Sequence, residues 1–92
     1  MNYHVYIINL SKREIDTQFV FFSKKQRLVD DHAYSFYKSC IDYHRIYPLS
    51  YISCSIYYSG IYSINEITNN NHHSHKRMVI DIDAITFPPL KI

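Results

Sequence analysis

Between Asn69 and Arg77 the chain reads NNNHHSHKR, which puts three asparagines, three histidines and two fixed cations into nine residues. Those side chains suit several chemistries. Imidazoles ligate zinc, and a tetrahedral zinc site takes four donors. One of His72, His73 or His75, with Lys76 and a tyrosine, could also move protons in a small ribonuclease. In a strand, His73 and His75 share a face and His72 points the other way. A zinc site would then need two more ligands, and Cys40 and Cys54 belong to the predicted apolar faces of the helix and of a strand. Asparagine side chains imitate backbone hydrogen bonds and favour turns. The stretch is therefore expected to be a solvated hairpin turn in which His73, His75, Lys76 and Arg77 contact a partner. No metal and no cofactor is expected.

Three other groups could carry function. Asp81 and Asp83 alternate on one predicted strand face, as cation-binding or acid–base carboxylates can, and equally as the solvent side of an amphipathic strand. Lys24, Lys25 and Arg27 open a predicted helix, where the helix dipole disfavours cations. A binding role for an anionic partner would explain them; a solvated basic turn is the plainer account. With Lys12 and Arg13 they put five of the ten fixed cations in the first 27 residues. Finally, Tyr51, Ser53, Ser55 and Tyr57 share one face of a predicted strand. That mixture of aromatic area and hydroxyls is common on protein-binding surfaces. Tyr51 and Tyr57 could also stack on bases, but no fixed cation accompanies them. If a helix covers that face, they are core.

Composition narrows the classes. A single glycine leaves no GxGxxG and no GxxxxGK[ST] phosphate loop. Ten tyrosines favour sheets and interfaces. The 47% hydrophobic content of this 92-residue chain suits one small folded domain and is too high for disorder. Net charge is +2, rising to +8 if all six histidines are protonated. Two cysteines without a CxxC partner read as buried free thiols. No apolar run approaches the roughly 18 residues of a membrane span, and MNYHVYIINLSKRE does not read as a signal peptide. A cytoplasmic protein with no membrane partner is expected.

The elements that must position these groups follow from periodicity. Tyr3–Leu10 and Thr17–Ser23 read as strands that could pair as a hairpin across the polar SKREID. Ser11 and Glu14 fit a rival S-x-x-E capping box for a short helix. A second box, Ser23 and Gln26, precedes a long helix from about Lys24 to Ile46. Its stripe of Val29, Ala33, Phe36, Tyr37, Cys40 and Tyr43 or His44 recurs at three and four, and Pro48 ends it. Leu49–Tyr58 alternates as a half-buried strand. A Ser59-Gly60 turn is expected to return it as a further strand, IYSINEIT. Lys76–Phe87 then reads as the last strand, before Pro88 and Pro89. The expected fold is α+β, in the order β-β-α-β-β-β: one long helix on a largely antiparallel sheet of about five strands.

The ten residues VYIINLSKRE, Val5–Glu14, resemble the opening strand and basic turn of the lipopolysaccharide-type glycosyltransferases. A chain of this length is far shorter than that fold, and no activity is carried over. No Ser-His-Asp or Cys-His set is marked by its spacing. The expected function is a small non-enzymatic protein-binding module that blocks another macromolecule. Immunity proteins and phage anti-defence proteins such as anti-CRISPRs are comparable in composition. The partner is expected to be a protein with an acidic surface. The alternatives are a nucleic-acid binder using the basic N-terminal third, and a small RNase-type toxin.

Overall fold

The β-branched and aromatic residues at the start of the chain pair with each other as their pattern predicts. In the computed structural model, which describes residues 1–13, 15–46, 52–69 and 76–85, β1 (Asn2–Lys12) and β2 (Ile15–Ser23) form an antiparallel hairpin. Both strands run further into SKREID than expected. Lys12 pairs with Ile15, and Arg13 takes a positive φ of 56° in the two-residue turn. Such a φ lets a short turn follow the twist of its strands. The rival helix at Ser11 does not form, because Ser11 is a ladder residue opposite Asp16.

The long helix, α1 (Gln26–Ile46), begins two residues later than expected. Its apolar stripe lies on the sheet, but only Val29 and Ala33 are fully buried. Phe36 is half-buried, with its ring 4.7 Å from Phe19 and 5.5 Å from Phe21. Tyr37 and Cys40 are half-buried too, and Tyr43 is exposed. The stripe thus weakens towards the C-terminal end of the helix.

The second half of the chain departs from the expected order. β3 (Ile52–Ser63) is one strand, antiparallel to β1 along its whole length. The Ser59-Gly60 turn does not form. Val5 opposes Gly60 and Tyr6 opposes Tyr58, so Ser59 is the extra residue of a β-bulge, and Gly60 sits at φ 122°. The lone glycine serves a bulge rather than a hairpin. Continuing straight lets β3 satisfy the edge of an eleven-residue β1, whereas folding back would leave half of that edge unpaired. IYSINEIT is likewise not a return strand. Its second part forms α2 (Ile64–Thr68), started by a capping box in which Ser63 Oγ accepts from the Glu66 N–H and the Glu66 side chain bonds back to Ser63.

After crossing the sheet, the chain adds β4 (Lys76–Asp81) parallel to β2. This strand stops six residues short of Phe87. Asp81 accepts the Asp83 N–H at 3.0 Å and turns Ile82–Ala84 into a 3-10 helix. The sheet therefore has four strands in the order β3-β1-β2-β4, and it is mixed rather than wholly antiparallel. The correction from five strands has a physical cause: one predicted turn became a bulge, and one predicted strand became a capped helix.

Alternation gives the sheet two unlike faces. Towards α1 point Tyr6, Ile8, Phe21 and Ile56, which pack with Val29, Ala33 and Ile82 as the main core. On the opposite face Val5, Val20 and Phe22 are buried beneath Ile67 of the short α2, with Tyr3, Ile7 and Tyr62 around them. Among the described residues no helix is long and apolar enough to cross a membrane.

Candidate protein-binding surface

The face of β3 that carries Ser53, Ser55 and Tyr57 points away from α1. In the β1–β3 register Tyr57 opposes Ile7, Ser55 opposes Asn9 and Ser53 opposes Ser11. Ile7 belongs to the small cluster under α2, so this row lies on that side of the sheet. It is the α1 side that takes Cys54, Ile56 and Tyr58. Helix α2 covers the part of the face formed by Val5, Val20 and Phe22. The remainder of the face is left open: Ser53 and Ser55 are exposed, and Tyr57 keeps 47% of its surface. The strand neighbours continue the platform inward. Asn9 and Gln18 are half-buried, and the Gln18 amide donates to Asn9 Oδ1 at 3.2 Å. An aromatic ring, serine hydroxyls and a side-chain amide pair thus stand side by side on rigid strands. Such a surface can form many hydrogen bonds around one aromatic anchor. Tyr51, expected on the same row, lies outside the described residues.

Of the expected contact residues after the asparagines, His73 and His75 lie outside the described residues, as does His72. Lys76 is exposed on β4 opposite Thr17, which places it on the α1 side of the sheet. Arg77 opposes Gln18, on the open side. Its guanidinium is already engaged: Nη2 donates to the Ile67 carbonyl at 2.7 Å, so it caps the C-terminal end of α2. Its Nε is buried without a partner at the rim of a pocket of about 80 Å³ floored by Val5, Ile7 and Val20. Arg77 is therefore a brace between α2 and the sheet before it is a contact.

Lys24, Lys25 and Arg27 are exposed where β2 passes into α1. The five early cations do not form one patch. Lys12 and Arg13 sit at the β1–β2 turn and the other three at the far end of β2, about 30 Å away at roughly 3.3 Å per residue. Lys76 and Arg77 align with Thr17 and Gln18, nearer the turn end. The structure thus separates the groups that the sequence grouped; of them Arg77 alone shares the open face, in line with Gln18, Asn9 and Ser55 but with β2 and β1 between it and β3.

What the basic junction does contain is an unforeseen carboxylate. Asp83 accepts from the Lys24 N–H at 2.9 Å and from the hydroxyl of the fully buried Ser23 at 2.5 Å. Ser23 Oγ in turn accepts from the Lys25 N–H at 3.0 Å. The expected Ser23–Gln26 box is replaced by this arrangement, in which Asp83 fastens the entry of α1 to the end of the chain's last described element. The Lys24 N–H first, then the Ser23 hydroxyl, hold the Asp83 carboxyl below the usual carboxylate range. The paired carboxylates thus divide their work: Asp81 starts the 3-10 helix and Asp83 anchors α1.

Two further polar groups lie between α1 and the sheet. Burial, then a hydrogen bond to Asp30, keeps the Tyr6 hydroxyl protonated well above the usual tyrosine range. Cys40 of α1 and Cys54 of β3 face each other as free thiols. Burial first, and the neighbouring Cys40 second, push the Cys54 thiol up to about 12, and burial also raises Cys40. Among the described residues no three histidine, cysteine or acidic side chains gather as a metal-ligand set.

One functional element was legible and missed. Ser63-x-x-Glu66 has the same S-x-x-E pattern read at Ser11, and here it does start a helix. Nothing in the local pattern marked Asp83 or Arg77 as braces, since both act on residues distant in sequence. The chain matches no protein-family model, no curated protein and no solved structure.

Proposed function

We propose that this protein is a non-enzymatic binding module that docks on another protein through the open face of its sheet and inhibits that partner by covering its surface. The observation that supports this reading is the Ser53–Ser55–Tyr57 row, exposed on rigid strands and turned away from the helix. A tyrosine on a strand loses little rotamer freedom on binding, and the surrounding hydroxyls and amides adapt to a polar surface. Immunity proteins and phage anti-defence inhibitors are the functional classes with this economy of means. The basic junction at Lys24, Lys25 and Arg27 would add steering towards an acidic partner more than affinity.

Affinity capture from the native host with wild-type protein, beside Tyr57→Ala and Ser55→Glu variants, tests the reading. One protein retained by the wild type and lost with either variant, while both variants melt like the wild type, is the expected outcome. Retention unchanged by both variants refutes the face. Capture of nucleic acid, released steeply as salt rises, would transfer the function to phosphate recognition.

A further inference from the structure

We infer that the outer edge of β3 is a self-association site that takes β3 of a second copy of this chain. The two edges of the sheet are built differently. β4 is six residues long, carries Lys76, Arg77 and Asp81, and is ended by the 3-10 helix. Short length and charge are the usual means of keeping an edge from pairing. β3 is twelve residues, ISCSIYYSGIYS, with no charge and no proline. Among the described residues it is last in the strand order and one side of its backbone has no strand partner, and the irregularity along it is the bulge at Ser59.

Apolar surface collects along this edge. Tyr57 is 47% exposed, Tyr58 39% and Ile61 57%. The ring of Tyr6 stands 5.4 Å from Tyr58 and 5.9 Å from Tyr34 of α1, so the aromatic line continues from the strand into the helix layer. Tyr34 is itself 54% exposed.

A second copy is the occupant that this edge fits. Antiparallel self-pairing about a twofold axis sets β3 against itself, and an uncharged strand meets no like charges when it does so. An acidic peptide strand would find no cation anywhere along Ile52–Ser63. The area also suffices. The seven regular residues before the bulge span about 24 Å and the whole strand about 40 Å, at roughly 3.4 Å per residue. With the molecule 18 Å thick, pairing covers about 400 to 700 Å² per copy, against about 800 Å² in a standard interface. That range is at or below the standard size, as in weak, reversible associations. The two four-stranded sheets would then join into one, with their open faces side by side.

Sedimentation velocity from about 5 μM to about 1 mM tests this. Wild-type protein is expected to move from the 11.1 kDa monomer to twice that mass. Ser53→Lys with Ser55→Lys, both on exposed positions, should leave it monomeric throughout with far-UV circular dichroism unchanged. Hydrogen exchange of the wild type supplies a readout that needs no variant: protection should rise with concentration in β3 and stay constant in β4. A wild type that remains monomeric at the highest concentration overturns the proposal. So does a lysine variant that dimerises equally, or concentration-dependent protection in β4 instead of β3.

Discussion

Replacing Asp83 with alanine should cost the fold about 2 kcal/mol at neutral pH, although Asp83 itself is exposed. The magnitude follows from what the carboxylate holds. It accepts from the hydroxyl of Ser23, whose exposure is 0%, and from the Lys24 N–H. Losing the carboxylate strands a buried hydroxyl donor, at about 1–2 kcal/mol. It also removes a helix-entry bond worth about 0.5–1 kcal/mol. Solvent screening at the exposed carboxylate keeps the total in the lower half of that range, at about 2 kcal/mol. In a domain of this size, about 2 kcal/mol lowers the melting temperature by roughly 8–16 °C. Asp83→Asn keeps an acceptor and should lose about half as much. The pH dependence has a definite sign. The folded carboxyl lies below its ordinary value, so its stabilisation is complete above the unfolded pKa of about 3.9 and fades as pH falls through the lower folded value. The gap between wild type and Asp83→Ala should therefore hold from pH 7 to about 5 and shrink towards pH 2. Thermal unfolding by far-UV circular dichroism measures both. Melting temperatures within about 2 °C of each other at pH 7, or a gap as wide at pH 2 as at pH 7, would refute the anchoring role.

Gly60→Ala should destabilise by about 1–3 kcal/mol, because φ 122° is costly for any L side chain. The added Cβ would meet Tyr62 Cε2 at an ordinary 3.6 Å, so a melting temperature equal to wild type would mean that the bulge relaxes at no cost. Phe36→Ala should cost about 2–4 kcal/mol in urea unfolding, towards the low end for phenylalanine because the ring is half-buried; no change would mean that its packing on Phe19 and Phe21 contributes nothing. Cys54, pushed up to about 12, should be almost wholly thiol at pH 8. Its reaction with an aromatic disulfide reagent should be far slower in native protein than in urea, and equal rates would place the thiol in solvent.

Much of the architecture was legible in local pattern. The hairpin of β1 and β2 followed from two β-branched, aromatic stretches around a polar turn, and α1 from a stripe repeating at three and four. The alternation of Ile52–Tyr58 correctly separated the Tyr57 row from the Cys54 row. Periodicity reports which residues share a face and is silent about what covers that face. Only the packing of α1 against Tyr6, Ile8 and Phe21 decided that Tyr57 stays open. The strand count failed for a related reason. Gly60 allows a positive φ equally in a turn or a bulge, and the choice depended on the length of β1 available for pairing. The basic residues looked like one cluster because they are close in sequence, yet a β-strand carries the chain about 3.3 Å per residue and moved them to opposite ends of the sheet. The sequence by itself determined the helix, the hairpin and the alternation, because these rest on interactions a few residues apart. The tertiary structure alone decided the bulge, the parallel edge strand, the Asp83 and Arg77 braces and the exposure of Tyr57, because each depends on groups brought together from distant parts of the chain.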